Sequence, residues 1–228
     1  KDPVGLVIAR SAAQVIEASG LLKNGFSFQT GAGGASLAAA KFVAQMMKRD
    51  GIVGSFIMGG ITAYLVEMLN QGLFRKIIDV QDFDLDAVRS LAANPNHVEV
   101  SAGLYASPFN SGCVVNQLDT VILGATEIDT DFNVNVVTGS DGTIMGGSGG
   151  HSDAAAGAKL TIIVANLLRG RLPILMDRVL TVTTPGETVD VLVTEQGIAV
   201  NPARADLRER FEAARLPVQD VHELKRLA

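Results

Sequence analysis

The first half of the chain repeats one local order: an apolar strand, a turn that contains glycine, and an amphipathic helix. The predicted strands are 26–29, 52–58 and 74–80, and the helices predicted after them are 35–47, 62–70 and 85–93. Alternation of this kind is typical of strands that pair in parallel with helices packed against the sheet. The sequence therefore predicts an α/β fold with an open, mostly parallel sheet and helices on both faces.

The rest of the chain extends this pattern without a visible domain boundary. Asp2 and Pro3 predict the N-cap and first turn of a helix that runs to Gly20. Further strands are predicted over 97–101, 120–128, 133–137, 160–164, 174–175 and 189–194, and further helices over 205–214 and 220–227. Because no Pro/Gly/Ser-rich linker interrupts the chain, residues 1–228 are predicted to form one domain. The start at Lys1, without Met, leads us to expect a fragment or a processed product.

Charge and cysteine content exclude several classes of partner. The formal net charge is −5 and the basic residues are dispersed, so we expect no nucleic-acid partner. No apolar run is long enough for a membrane span. The single cysteine, Cys113, cannot form an internal disulfide, which favours a cytoplasmic location.

Glycine is enriched, with 24 residues, and much of the excess falls in three clusters. The clusters are Gly31, Gly33 and Gly34; Gly59 and Gly60; and Gly146, Gly147, Gly149 and Gly150. Turns that follow parallel strands lie along one edge of the sheet, where glycine lets backbone N–H groups approach an anionic ligand. The alternative is that these glycines only form tight turns. Three clusters at equivalent positions favour a shared binding edge.

Two familiar motifs are matched only in part. The segment 31–36 approximates the dinucleotide-binding Gly-x-Gly-x-x-Gly pattern, but Ser36 replaces the third glycine and no acidic residue closes the next strand. The segment 146–150 satisfies Gly-x-Ser-x-Gly, so a hydrolase with Ser148, His222 and either Asp177 or Asp190 is a remote alternative.

The histidines do not predict a metal site. His97, His151 and His222 are scattered, and we expect His97 and His222 at the surface or at strand ends. His151 lies in a polar, glycine-flanked group with Asp153, where an imidazole could hold a substrate carboxylate or transfer a proton. The alternative is that Ser152 or Asp153 caps the alanine-rich turn that follows.

Several segments together resemble the C-terminal CoA-transferase-like domain of the citrate lyase alpha chain family. The segments are 28–37, 54–62, 121–129, 146–153 and 193–197, which span nearly the whole chain. The resemblance implies a NagB/RpiA/CoA transferase-like fold and places these residues in the C-terminal half of a two-domain polypeptide.

The resemblance also implies a reaction and partners. An acetyl thioester exchanges acetate for citrate, and a separate beta subunit then cleaves the citryl thioester to oxaloacetate and acetyl thioester. The thioester is carried by the gamma subunit, an acyl carrier protein with a CoA-like prosthetic group, and acetyl-CoA can replace it. No tightly bound cofactor or metal is implied in this chain, and an oligomer is expected.

Covalent CoA-transferases of this fold carry a glutamate at the end of an early strand. The corresponding position here falls near Met58, Gly59 and Gly60, which offer no carboxylate. The resemblance therefore implies a ternary complex in which a citrate carboxylate attacks the acetyl thioester and forms a mixed anhydride. Glu195 is the remaining acidic candidate, in a segment that also fits a structural strand end.

Backbone N–H groups can orient the two bound reactants and stabilise the oxyanions that form from the thioester. The candidate binding residues are Gly31, Gly33, Gly34, Gly59, Gly60, Asn135, Ser148, Gly149, Gly150, His151 and Ser152, with His151 and Asp153 as catalytic candidates. Arginines for the tricarboxylate are expected from the absent domain. Two rival functions stay open: a covalent CoA-transferase or acyl-CoA hydrolase of the same fold, and a docking half within a lyase complex.

Overall fold

The computed structural model describes residues 2–31 and 33–228. Lys1, and Ala32 between the glycines of the first cluster, lie outside the described residues. The helices are α1 (Pro3–Ser19), α2 (Gly34–Asp50), α3 (Ala63–Asn70), α4 (Leu85–Ala93), α5 (Ala102–Ala106), α6 (His151–Gly157), α7 (Ala205–Ala213) and α8 (Val221–Leu227). Short 3-10 helices cover Val114–Gln117 and Gly186–Thr188. The strands are β1 (Phe28–Thr30), β2 (Gly54–Ile61), β3 (Phe74–Asp82), β4 (His97–Glu99), β5 (Thr120–Gly124), β6 (Glu127–Asp129), β7 (Val134–Asn135), β8 (Leu160–Val164), β9 (Leu168–Arg169), β10 (Leu172–Pro173), β11 (Leu175–Met176), β12 (Val191–Val193), β13 (Ile198–Val200) and β14 (Val218–Gln219).

Nine strands form one sheet in the order β14-β13-β12-β8-β5-β1-β2-β3-β4. Every neighbouring pair in this sheet is parallel except β12 and β13, which are antiparallel. A small sheet of β11, β6 and β7 packs beside it, and β9 and β10 form a separate hairpin. The prediction of an open, mostly parallel sheet is confirmed.

Two hydrophobic cores lie on opposite faces of the large sheet. Ile122 and Ile162 belong to the core shared with α1, α2, α3, α4 and α7. Their neighbours Val121 and Ile163 point the other way, into the core shared with α5, α6, α8 and the small sheet. Because successive residues of a strand face opposite sides, this alternation confirms helices on both faces.

The first helix begins and ends where the sequence predicts. The Val4 N–H and Gly5 N–H each donate to the Asp2 carboxylate at 3.0 Å, and Pro3 occupies the first turn. Gly20 ends the helix in the left-handed region, with φ of 79°.

Three local predictions are wrong. Gly59 and Gly60 do not form a turn, because β2 continues through both residues to Ile61 with a register shift between them. The predicted strand 120–128 is broken after Gly124, and Glu127 begins β6 in the small sheet. The third glycine cluster follows no strand of the large sheet but lies in the loop before α6.

The order in which the chain adds strands to the large sheet reverses between β1 and β5. The chain adds β2, β3 and β4 on one side of β1 and then returns to place β5 on the other side. Side chains fasten this junction: the Ser27 N–H donates to Asp119 Oδ2 at 2.9 Å, and the Asp119 N–H donates to Ser27 Oγ at 2.8 Å. Reversal points of this kind open a crevice at the carboxyl ends of parallel strands, where ligands bind.

Within residues 2–31 and 33–228, none of the helices has both the length and the apolar character needed to cross a membrane.

Candidate active site at the junction of the central strands

A cleft of about 500 Å³ lies at the carboxyl ends of β1 and β5. It is lined by members of all three glycine clusters, together with side chains of β1, β3 and α5. The glycines are Gly31, Gly33, Gly60, Gly147, Gly149 and Gly150, and Ser148 and His151 join them. The structure thus brings together segments more than 100 residues apart, although the third cluster arrives on a loop.

The described lining of this cleft carries no acidic, lysine, arginine or cysteine side chain. Its polar side chains are neutral amides and hydroxyls and the imidazole of His151. Met58, near which a covalent relative would keep its glutamate, is fully buried in the second core. The cleft therefore offers donors and acceptors but no described carboxylate nucleophile.

A second cavity of about 380 Å³ adjoins the cleft and shares Gly33, Ser36, Gly124 and Ala125 with it. Gly34 lines this second cavity, in the first turn of α2. Gly33 is the N-cap of α2 and provides no side-chain cap, so the N–H groups of the first turn remain open to a ligand in the described part of the chain.

The second cavity also contains Asn166 and Arg169, which the sequence analysis missed. The Arg169 guanidinium donates to the Ala125 carbonyl at 3.1 Å, which holds it beside the cleft. The chain therefore has an arginine of its own near the glycines, beside any arginines that the rest of a longer polypeptide could supply. Arg169 lies on the β9–β10 hairpin, far in sequence from the glycine motifs of residues 31–34 and 59–60, so no motif in the sequence indicated it.

His151 bridges three segments through its ring. The Nε2–H donates to the Gly124 carbonyl at 2.9 Å, and Nδ1 accepts from Thr184 Oγ1 at 2.6 Å. Burial lowers the pKa of His151, which favours the neutral ring, and a neutral ring protonated on Nε2 can form both bonds. The imidazole thus ties the start of α6 to the end of β5, and a proton transfer by His151 would have to break one of these bonds.

The other candidates near His151 lie outside the cleft. Ser152 and Asp153 are in the first turn of α6, and neither caps it, because the N-cap is Gly150 without a side-chain hydrogen bond. Asn135 is fully buried, and its amide donates to Glu127 Oε2 at 3.1 Å and to the Thr138 carbonyl at 2.8 Å. Asn135 therefore holds the small sheet, which removes the geometric basis for its expected contact with substrate.

Two of the predicted glycines make room for side chains of the cleft. Gly59 has φ of 98°, and a Cβ there would lie 2.9 Å from Gln29 Cδ. A Cβ on Gly150 would lie 2.6 Å from Tyr105 Cε1. Gln29 and Tyr105 line the cleft and were missed, although the position of Gln29 at the end of a predicted strand was a usable signal.

The hydrolase alternative finds no support in the described hydrogen bonds. No strand leads into Ser148, and in the described bonds the Ser148 hydroxyl donates to the Gly149 carbonyl rather than to a histidine ring. The His151 backbone N–H donates to the Ser148 carbonyl, and the His222 backbone N–H donates to its own cap, Asp220. Asp177 pairs instead with Lys225 at 2.5 Å.

Glu195 accepts the Leu167 N–H, with oxygens at 3.0 and 3.2 Å. This bond favours the structural interpretation of Glu195.

His97 lies at the start of β4, the strand end that was one of its two expected places, and its side chain is buried rather than at the surface. Its Nε2 lies 3.0 Å from Asp79 Oδ2 and its Nδ1 lies 2.9 Å from Ser90 Oγ. Burial, together with the neighbouring Asp82 carboxyl, raises the pKa of Asp79 to about 7, and burial lowers the pKa of His97. One ligand atom from each of Asp79, Asp82 and His97 lies within 4.8 Å of the others, a grouping that sequence spacing concealed because it forms across two strands.

The chain is similar to known proteins over its whole length. A family model described as citrate lyase, alpha subunit (CitF), matches residues 1–228. The chain is 55% identical over 227 residues to the citrate lyase alpha chain of Klebsiella pneumoniae, covering 100% of this chain and 45% of that one. It thus spans less than half the length of this curated relative.

Solved structures extend the likeness to the fold. A crystal structure in complex with citrate, of a Streptococcus mutans protein described as the alpha subunit of citrate lyase, aligns with a TM-score of 0.98 at 52% identity, covering 100% of this chain and 45% of that one. The malonate decarboxylase alpha subunit from Acinetobacter baumannii aligns with a TM-score of 0.68 at 16% identity, covering 97% of this chain and 49% of that one, and shows a shared CoA-transferase-like fold. Since the family model matches the chain from end to end, the chain belongs to the citrate lyase alpha subunit family.

Proposed function

We propose that this chain takes part in the exchange of acetate for citrate on an acetyl thioester, which gives a citryl thioester and free acetate. The observation that carries the proposal is the cleft at the carboxyl ends of β1 and β5, which is lined by uncharged hydrogen-bond donors. The chain that forms this cleft belongs to the citrate lyase alpha subunit family. The thioester is that of an acyl carrier protein or of CoA, and it acts as a co-substrate.

The exchange needs two acyl transfers. A citrate carboxylate oxygen attacks the acetyl carbonyl carbon, the C–S bond of the resulting tetrahedral intermediate breaks, and the thiolate leaves while a citric–acetic mixed anhydride forms. The thiolate then attacks the citryl carbonyl of the anhydride, and acetate leaves. Each step passes through an oxyanion, which preorganised N–H donors stabilise.

The chain's own groups can perform the binding part of this reaction. The Gly31 N–H is committed, because it donates to the Ile122 carbonyl at 2.9 Å. The open N–H groups are those of the first turn of α2, where the helix dipole favours an anion. Arg169 supplies a positive charge at the adjoining cavity, suited to a carboxylate.

The lining of the cleft favours the non-covalent route. A covalent CoA-transferase needs a carboxylate that reaches the thioester carbonyl, whereas the described lining has none. We therefore propose a ternary complex rather than an enzyme-bound thioester.

The proposed partners are the beta and gamma subunits of a citrate lyase complex, the gamma subunit being the acyl carrier protein. We also propose that the chain works as part of a longer, oligomeric alpha subunit, since it spans 45% of its Klebsiella pneumoniae relative. The cytoplasmic location stays a prediction from the single cysteine.

The test is a chimera, made by replacing the 227 aligned residues of the Klebsiella pneumoniae alpha chain with this chain. The chimera is mixed with acetyl-CoA and citrate, and citryl-CoA is sought by mass spectrometry. Formation of citryl-CoA with release of acetate is expected. Intact acetyl-CoA, under conditions where the parent Klebsiella protein reacts, would refute the proposal.

The same assay on the 228-residue chain alone decides between an active unit and a docking half. Exchange of labelled acetate into acetyl-CoA by the chain alone would exclude a role in docking only. Activity of the chimera without activity of the isolated chain would assign essential groups to the remainder of the longer polypeptide.

A further inference from the structure

One buried amide at the cleft is left with an unused acceptor. Gln29, at the carboxyl end of β1, is 7% exposed and lines the cleft. Its Nε2 donates to Tyr105 Oη at 2.8 Å, while Oε1 has no hydrogen-bond partner. A buried acceptor without a partner is costly, so its presence at a cleft indicates a ligand donor.

Tyr105 leaves the complementary group unused. Because the Tyr105 oxygen accepts from Gln29, its own O–H proton is available, and no described hydrogen bond uses it as a donor. Burial raises the pKa of Tyr105, so the phenol keeps this proton at neutral pH. The pair therefore has one free acceptor and one free donor, both without charge.

The surrounding backbone is shaped around this pair. Gly59 and Gly150 lie against Gln29 and Tyr105 so closely that a Cβ on either glycine would overlap with them. The pair joins β1 to α5, segments 76 residues apart. The packing of both glycines therefore holds the Gln29–Tyr105 hydrogen bond in a fixed position, as a preorganised binding group requires.

We propose that Gln29 and Tyr105 form a subsite that recognises the hydroxyl-bearing carbon of a hydroxy-carboxylate substrate. The substrate hydroxyl donates to Gln29 Oε1, and the Tyr105 O–H donates to a neighbouring substrate oxygen. The carboxylate charges are held elsewhere, at the first turn of α2 and at Arg169. The inference rests on the proposed function, since it names how that function would select citrate.

The test compares citrate with propane-1,2,3-tricarboxylate, which has the same three carboxylates and no hydroxyl. In the full-length chimera we expect the analogue to bind at least roughly 10-fold more weakly than citrate, by calorimetry, because it leaves Gln29 Oε1 unpaired. In Gln29→Met and Tyr105→Phe, citrate binding weakens while binding of the analogue changes little, so the preference for citrate falls. Tyr64→Phe in α3 and Gln71→Met at the C-cap of α3, both outside the cleft, keep the preference unchanged.

Equal weakening of both ligands in Gln29→Met and Tyr105→Phe would overturn the inference, as would a wild-type chain that does not distinguish them. Because Tyr105→Phe removes only one oxygen, it serves if Gln29→Met fails to fold. Binding preference without any thioester exchange would refute the proposed function and leave the subsite standing. Exchange with an unchanged preference in both variants would refute the subsite alone.

Discussion

Two buried polar groups, one joining β1 to α5 and the other joining β3 to β4, differ in the charge of their side chains. The Gln29–Tyr105 pair is neutral, lines the cleft, and keeps an acceptor and a donor unused. The cluster of Asp79, Asp82 and His97 contains ionisable groups that do not line the cleft. Asp79 Oδ2 lies 3.0 Å from His97 Nε2 and Asp79 Oδ1 accepts from the Gln81 N–H, while Asp82 Oδ1, like Gln29 Oε1, has no described partner. The difference indicates that the ionisable cluster stabilises the fold, whereas the neutral Gln29–Tyr105 pair is available to bind a ligand.

The largest effect is expected from filling the space behind the neutral pair. Gly59→Ala introduces a Cβ at positive φ and 2.9 Å from Gln29 Cδ. The strained backbone costs about 1–3 kcal/mol of unfolding free energy. Displacement of Gln29 adds a loss of roughly 100-fold in the rate of thioester exchange.

The matched control is Gly25→Ala, which has φ of 88° and nothing within 4 Å of the added Cβ. Chemical denaturation and the exchange assay are measured for both variants. Gly25→Ala is expected to lose stability and keep activity. If both variants keep activity, Gly59 is not needed to position Gln29.

The charged cluster is tested by the pH dependence of stability. The pKa of Asp79 is raised from 3.8 to about 7 in the folded chain, so folding binds a proton more tightly. Its stabilising contribution is fully present below about pH 4 and is lost as the pH rises through about 7, by at most about 1.4 kcal/mol per pH unit. Asp79→Asn retains the hydrogen bonding and removes this titration.

The unfolding free energy of Asp79→Asn, relative to wild type, is therefore expected to rise between pH 5 and pH 8. The cluster also contains Asp82 and His97, and Glu99 acts on Asp79 through its charge. The lowered pKa of His97 has the opposite consequence, with stability lost as the pH falls below about 6.5. Because His97 Nε2 lies 3.0 Å from Asp79 Oδ2, the same comparison is made in a His97→Gln background, and a difference that does not vary with pH there would contradict the assignment.

A smaller effect is expected at the edge of the cleft. Arg169→Ala removes the positive charge from the adjoining cavity and should raise the KM for citrate by roughly 10-fold, with a smaller change in kcat. Arg171→Ala is the control, because Arg171 is exposed and lines neither cavity. Equal KM values for the two variants would remove Arg169 from substrate binding.

No effect at all is expected from borohydride. A covalent CoA-transferase that has been incubated with acetyl-CoA carries a glutamyl thioester, which borohydride reduces with loss of activity. The described lining of this cleft has no carboxylate, so the chimera should keep its activity. Loss of activity together with a reduced glutamate in the peptide map would establish the covalent route instead.

The fold was largely predictable, because hydrophobic periodicity and glycine turns are local signals. Helix α4 and strand β8 have the predicted bounds, and Asp2 and Gly20 delimit α1 as expected. Gly59 and Gly60 were misassigned to a turn because the sequence does not distinguish a turn glycine from one that allows close packing, here of Gly59 against Gln29 and of Gly60 against Phe83.

Of the candidate site, only the backbone segments that contain the glycines were predictable from the sequence. The glycines indicated the correct edge of the sheet, yet the roles of individual side chains depended on distant partners. His151 is held by Thr184, and Asn135 by Glu127 and Thr138, contacts that no spacing in the sequence reveals. Gln29 and Tyr105 are 76 residues apart, so their pairing also required the structure.

The junction of β1 with β5 has a consequence for the order of folding. The strand that carries Gln29 is completed on its second side only when residues around Asp119 reach Ser27, 92 positions earlier. Such distant contacts close slowly, after local βα units have formed. A nascent chain that ends before Thr120 therefore carries the glycines of the first two clusters but no cleft, and competence to bind arises late in synthesis.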